Sequence, residues 1–131
     1  MPDIAKSGIP SLATTLPGPE NTLGGLKAGE LIGAGDACYI KTDGFVWKST
    51  GAAANAAARV RGFAAKAASV NEAVTLLRDV TFHYGAALTP GAEYFLSSIL
   101  AGALSDTATV GGVTPIGFAY DATRIRLVPN I

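Results

Sequence analysis

The sequence predicts an all-β domain, a small β-barrel or β-sandwich built from two similar strand units and preceded by an extended arm. Three observations lead there. Apolar residues fall in short runs, with Gly or Pro turns every ~8–12 residues, the spacing of sandwiches and barrels. The chain also repeats itself. Gly35-Asp36-Ala37-Cys38-Tyr39-Ile40 is followed by Arg61-Gly62-Phe63-Ala64, and Gly91-Ala92-Glu93-Tyr94-Phe95-Leu96 by Ile116-Gly117-Phe118-Ala119. The starts lie 91 − 35 = 56 residues apart and the Gly-Phe-Ala signals 117 − 62 = 55 apart. A period of this length is one supersecondary unit used twice. Finally, only residues 51–58, Gly-Ala-Ala-Ala-Asn-Ala-Ala-Ala, carry helix propensity, and so short a segment gives a loop or a single helical turn.

In order, residues 1–25 read as the arm and residues 26–131 as the β domain, with repeats over about 26–70 and 82–128. Pro2, Pro10, Pro17 and Pro19 forbid a helix in the arm, and Gly8, Gly18, Gly24 and Gly25 loosen it. Ile4, Ile9, Leu12, Leu16 and Leu23 are spaced apolar anchors that a purely solvating tail would lack. Such an arm either lies in a groove on another subunit or is a disordered leader.

Strands are expected over Leu26–Ile32 and Asp36–Ile40, then a Thr42-Asp43-Gly44 turn and a returning strand from Phe45 to Lys48. Val60–Ala65 is the next strand. Val74–Tyr84 alternates over its length and reads as one long strand. Leu88-Thr89-Pro90-Gly91 turns into Tyr94–Ser98, and Ala103–Asp106, Val113–Ala119 and Thr123–Val128 complete the set. Phe63 and Phe118 are expected at equivalent core positions, and Gly62 and Gly117 at a bulge or a close backbone approach.

Composition narrows the function. Ten basic and ten acidic residues cancel, and no basic run exists. Nucleic-acid backbones are held by basic stripes, so direct nucleic-acid binding is not expected. Arg124 and Arg126 share one face of the last strand as a solvated or partner-facing pair. Only 15% of residues are charged, against ~25% in typical domains, which favours burial of surface in an assembly. No apolar segment approaches the ~20 residues of a membrane span, and the N-terminus has no signal-peptide pattern. Cys38, the single cysteine, reads as a small buried hydrophobe, consistent with synthesis in a reducing cytoplasm.

Chemistry is sparse. The one histidine, His83, sits in the long strand. A triad of Ser97 or Ser98 with His83 and Asp79 fails on geometry unless the strand bends sharply, because positions i and i+4 of a strand lie about 13 Å apart. The scattered carboxylates form no EF-hand pattern and no obvious catalytic pair. Gly33-Ala34-Gly35 lacks the third glycine of a dinucleotide loop. No catalytic residue, cofactor or metal site is expected. Trp47, just after a turn, is either core or interface, or an exposed ligand platform.

Several weak motifs occur in a recognisable order. They are Ala28-Gly29-Glu30, Ala34-Gly35-Asp36-Ala37-Cys38-Tyr39-Ile40, Asp43-Gly44-Phe45-Val46, Arg61-Gly62-Phe63-Ala64 and Leu88-Thr89-Pro90-Gly91-Ala92-Glu93-Tyr94-Phe95-Leu96. Gly102-Ala103-Leu104-Ser105-Asp106, Pro115-Ile116-Gly117-Phe118-Ala119 and Ala122-Thr123-Arg124-Ile125 follow. Over residues 25–128 the chain resembles the small capsid decoration, or cement, proteins of tailed bacteriophages. The resemblance implies a non-enzymatic homotrimer on the outer surface of the virion head. There it would bridge major capsid subunits of the HK97-type fold and stabilise the shell. Candidate capsid or protomer contacts, inferred from the residues and not carried over from the family, are Ile4, Ile9, Leu12, Leu16, Trp47, Arg124 and Arg126. The alternative is a receptor- or carbohydrate-binding β module of a head fibre or tail.

Overall fold

A computed structural model describes residues 3, 4, 6, 8–13 and 21–130. The chain is all-β, and its two antiparallel sheets stack as a sandwich without closing into a barrel. The first sheet contains β2 (Thr22–Lys27), β3 (Ala37–Ile40), β4 (Val46–Lys48), β5 (Gly62–Ala64) and β6 (Ala73–Leu77), in the order β2-β6-β5-β3-β4. The second contains β7 (Val80–His83), β8 (Glu93–Leu96), β9 (Leu104–Ser105), β10 (Gly117–Ala119) and β11 (Arg124–Leu127). With β1 (Ser11–Leu12) at its edge, its order is β1-β7-β11-β10-β8-β9.

Apart from β1, the two sheets share one strand order: first strand, last, fourth, second, third. The register matches too. Phe63 pairs with Ala37 and Leu77, and Phe118 with Glu93 and Arg126. The units run from β2 to β6 and from β7 to β11, so the first half is wider than the 26–70 read from the motifs while the second nearly coincides with 82–128. β2 begins inside the segment expected to be arm. Gly24 and Gly25 there form a β-bulge against β6, with Gly25 at φ 75°, a conformation that favours glycine.

The expected long strand over 74–84 is two strands in different sheets. Asp79 has φ 52° and turns the chain from β6 into β7. Aspartate tolerates this left-handed conformation better than most residues. Alternation therefore continues in sequence across a corner that breaks it in space.

The halves stack in the same sense, front to back. The front of the second sheet, with Tyr94, Leu96, Ala119, Ile125 and Leu127, receives the back of the first, with Ala37, Phe63 and Leu77, to make the main core. The front of the first sheet holds Cys38, Val46, Ala64, Val74 and Leu76, covered by Ala28, Ile32 and Ala68 of its own loops in a smaller core. The bridge Ile32–Ala68 holds those loops together. The first sheet is thus buried on both faces at its centre, where all of Gly62-Phe63-Ala64 is enclosed, while Ile40, Ala73 and Thr75 remain exposed. The back of the second sheet is uncovered around Phe118, although Thr81 and Ser105 on the same face are buried. Phe118 lies there, 41% exposed, and this corrects its expected place in the core.

The arm is part of this domain. Ser11 and Leu12 pair with His83 and Phe82, and Asp3 bridges Ser105 at the opposite edge of the same sheet. Ile4 and Leu12 pack against the main core, Pro10 is buried, and Lys6 is paired with the nearly buried Asp36. The reading of residues 1–25 as an arm free to reach a neighbour is therefore corrected for the described residues. Ile4 and Leu12 find their groove on their own chain.

Candidate functional site

Two segments break the repeat, and they meet in space. The stretch after β4 carries the Ala-rich residues 51–58, ending in a 3-10 turn at Ala56–Ala58 that Asn55 caps through its side chain on Ala57 N–H. The stretch after β9, residues 107–114, takes the corresponding place in the second unit. Gly111 N–H donates to the Gly51 carbonyl, and Gly51 N–H to that of Ser97. A β-carbon on Gly111 would stand 2.3 Å from the Ala53 carbonyl oxygen, so only glycine permits this approach.

Where these loops meet β3 they wall a groove of about 660 Å³, lined by Tyr39, Ile40, Asn55, Arg59, Arg61 and Val113 among others. Its walls are mixed. Ile40 and Val113 are exposed aliphatics, Val113 at 70%. Arg59 and Arg61 are exposed, and neither forms a salt bridge among the described residues. Asn130 fixes one end, its carboxamide accepting from Val60 N–H at 2.9 Å and donating to the Ala58 carbonyl at 3.0 Å. The backbone on this wall is therefore held in place before any ligand arrives.

The residues singled out from sequence lie apart from one another. Ile4 and Leu12 are half-buried and pack against the main core of their own chain. Ile9 is 82% exposed. Leu16 lies outside the described residues. Trp47 is half-buried on β4. Its Nε1–H donates to the Asp43 carboxylate at 3.2 Å, Lys41 Nζ stands 4.3 Å from the ring centroid, and Gly29 abuts the indole. The ring is thus not a bare stacking platform.

Arg124 and Arg126 lie on the back of the second sheet, on an interior strand and not at an edge. Arg126 Nε bonds Asp79 at 2.7 Å and its Nη1 the Tyr120 hydroxyl at 3.2 Å; these bonds hold the guanidinium firmly in its charged form. Hydrogen bonds to the Tyr120 oxygen from the Thr81 hydroxyl and from Arg126 lower the phenol's pKa. Asp121 accepts from the backbone of Thr123 and from both the side chain and backbone of Arg124, which holds its carboxyl well below the usual carboxylate range.

Two of the groups considered for catalysis, Ser97 and Asp79, have structural partners. Ser97, fully buried, donates to the Asp3 carboxylate at 2.7 Å and accepts from Ile99 and Leu100 N–H, anchoring a turn. Asp79 belongs to the corner and pairs with Arg126. Among the described residues no group of three His, Cys, Asp or Glu side chains could hold a metal ion, and no helix is long and apolar enough to cross a membrane.

The groove residues Ile40, Arg59, Arg61 and Val113 are not among the candidates that the sequence offers. Their signal was present as the interruption of the repeat, since both interrupting segments are groove walls. Compared with protein-family models the chain matches none, and no curated protein matches it.

Proposed function

We propose that this chain is a non-enzymatic attachment module, specifically a capsid decoration protein. It binds the outer surface of a phage head and bridges major capsid subunits of the HK97-type fold. The motif resemblance supplies the biological setting. The observation that carries the binding mode is the groove formed where the two repeat-breaking loops converge.

Its chemistry suits a protein segment. Exposed Ile40 and Val113 offer apolar contact, Arg59 and Arg61 pair with carboxylates or backbone carbonyls, and the rigid wall lowers the entropy lost on docking. An extended, acidic and partly apolar loop of a shell subunit fits this description. Each contact can be weak, because a shell presents many copies of the same loop.

The test is occupancy on purified expanded shells. Arg59→Glu combined with Val113→Asp is expected to lower occupancy at least tenfold while the free protein keeps its melting temperature, since both side chains are exposed. Unchanged occupancy would sink the groove assignment. Failure of the unaltered protein to bind any tailed-phage shell would sink the capsid reading itself.

A further inference from the structure

On the back of the second sheet the row Glu93–Phe118–Arg126 is open to solvent, with opposite charges on either side of an aromatic ring. We propose that this face is a two-fold contact between two copies of the chain, with its axis running along β10 over Phe118.

The repeat shows what such a face is for. In the first sheet the row Ala37–Phe63–Leu77 packs against another sheet. In the second sheet the same register row reads Glu93–Phe118–Arg126. The aromatic is kept and its flanks are charged, the composition of a separable interface and not of a permanent core. Phe118 and Tyr120 are each 41% exposed and meet edge to face at 5.6 Å, with Arg124 stacked 5.6 Å from the Tyr120 centroid. Exposed Phe, Tyr and Arg in one cluster are the usual makings of a binding hot spot.

Charge selects the occupant. β10 lies between β8 and β11, so Glu93 stands on one side of Phe118 and Arg126 on the other, each about 5 Å away across the sheet. A two-fold rotation about an axis parallel to β10 puts the second copy's Arg126 over Glu93 and its Glu93 over Arg126, with the two Phe118 rings meeting on the axis. A two-fold across the strands would instead set Glu93 against Glu93. The row is therefore complementary to itself in one orientation only.

The contact is also prepared. Asp79 and Tyr120 hold Arg126 with two of its five donors, so little side-chain entropy is lost when the others engage. The Glu93 side chain makes no hydrogen bond or ion pair among the described residues. Zero net charge leaves no general repulsion between copies. This pairing is independent of the capsid reading, and it yields pairs where the family resemblance implies trimers.

The test is the mass of the full chain by sedimentation equilibrium at micromolar concentrations. The unaltered protein is expected at twice the protomer mass. Glu93→Arg and Phe118→Asp should each raise the dissociation constant at least tenfold while leaving the urea midpoint of the dilute monomer unchanged. A monomer at all concentrations would overturn the proposal, as would a trimer or any oligomer whose mass is indifferent to Glu93→Arg and Phe118→Asp.

Discussion

Phe63 and Phe118 occupy the same register position in two sheets of one strand order, yet Phe63 is fully enclosed and Phe118 stands on an open face. Stacking decides this difference, since each ring points to the back of its own sheet and only the first back is covered at that position. Phe63→Ala is expected to cost about 3–5 kcal/mol, as for other large core aromatics. Phe118→Ala should stay within about 1 kcal/mol when measured on the monomer. Urea unfolding of both variants, with the protein dilute enough to be monomeric, checks this. Equal losses would mean that Phe118 is buried within its own chain.

The arm contributes to the stability of the free protein. Removing residues 1–12 deletes β1, the Ile4 and Leu12 contacts and the Lys6 partner of Asp36. A loss of about 2–4 kcal/mol is expected from the half-buried apolar surface and the lost charge-assisted bond. The urea midpoint of the truncated chain reports it. An unchanged midpoint would show that the arm does not bind its own domain.

Alkaline pH should destabilise the fold in two steps. Burial, reinforced by the Asp36 charge, pushes up the pKa of both the Cys38 thiol and the Tyr84 phenol. The native state therefore retains protons that the unfolded chain releases above ordinary values of ~8.5 and ~10. The stability linked to these groups is complete below ~8.5 and is lost as pH rises, with a slope of about 1.4 kcal/mol per pH unit for each group. Urea midpoints between pH 7 and 11 should show this decline, and Cys38→Ala should abolish its first part. Native Cys38 should also resist thiol reagents until the protein unfolds.

Glycine is required where the repeat places it. A β-carbon on Gly62 would stand 2.9 Å from that of Leu76 and 3.0 Å from the Leu77 carbonyl oxygen. On Gly117 the nearest atom is the Arg126 carbonyl oxygen at 3.0 Å, followed by movable methyl groups of Ile125 and Leu127 at 3.3 Å. Gly62→Ala is expected to cost about 1–3 kcal/mol through overpacking, and Gly117→Ala less. Calorimetry on the pair checks the ranking, and a neutral Gly62→Ala would contradict the close approach.

Much of the fold was legible because its cues are local. Asp43-Gly44 marks the β3–β4 hairpin, Gly44 having φ 84°, and alternation marks the strands. The Gly-Phe-Ala pair marks the two units. What escaped is set by stacking. No local cue says that the first sheet is covered on both sides at its centre, so Phe118 reads like Phe63. None says that residues 74–84 turn a corner at Asp79, because the alternation runs straight through it. Ile4 and Leu12 were legible as anchors, but not as anchors for their own chain. Arg59 and Arg61 become site residues only once two loops about 55 residues apart in sequence are seen to touch.

The pairing of Asp3 with one edge of the second sheet and of Ser11 and Leu12 with the other also fixes an order of events in the cell. Those residues leave the ribosome long before their partners, His83 and Phe82 at one edge and Ser105 at the other. At ordinary translation rates the wait for Ser105 is about 5–20 s. During that time Ile4 and Leu12 have no surface to cover them. The prolines around them limit strand pairing with other nascent chains. The segment synthesised ahead of the domain is thus among the last to dock, and its docking reports that the C-terminal half is complete.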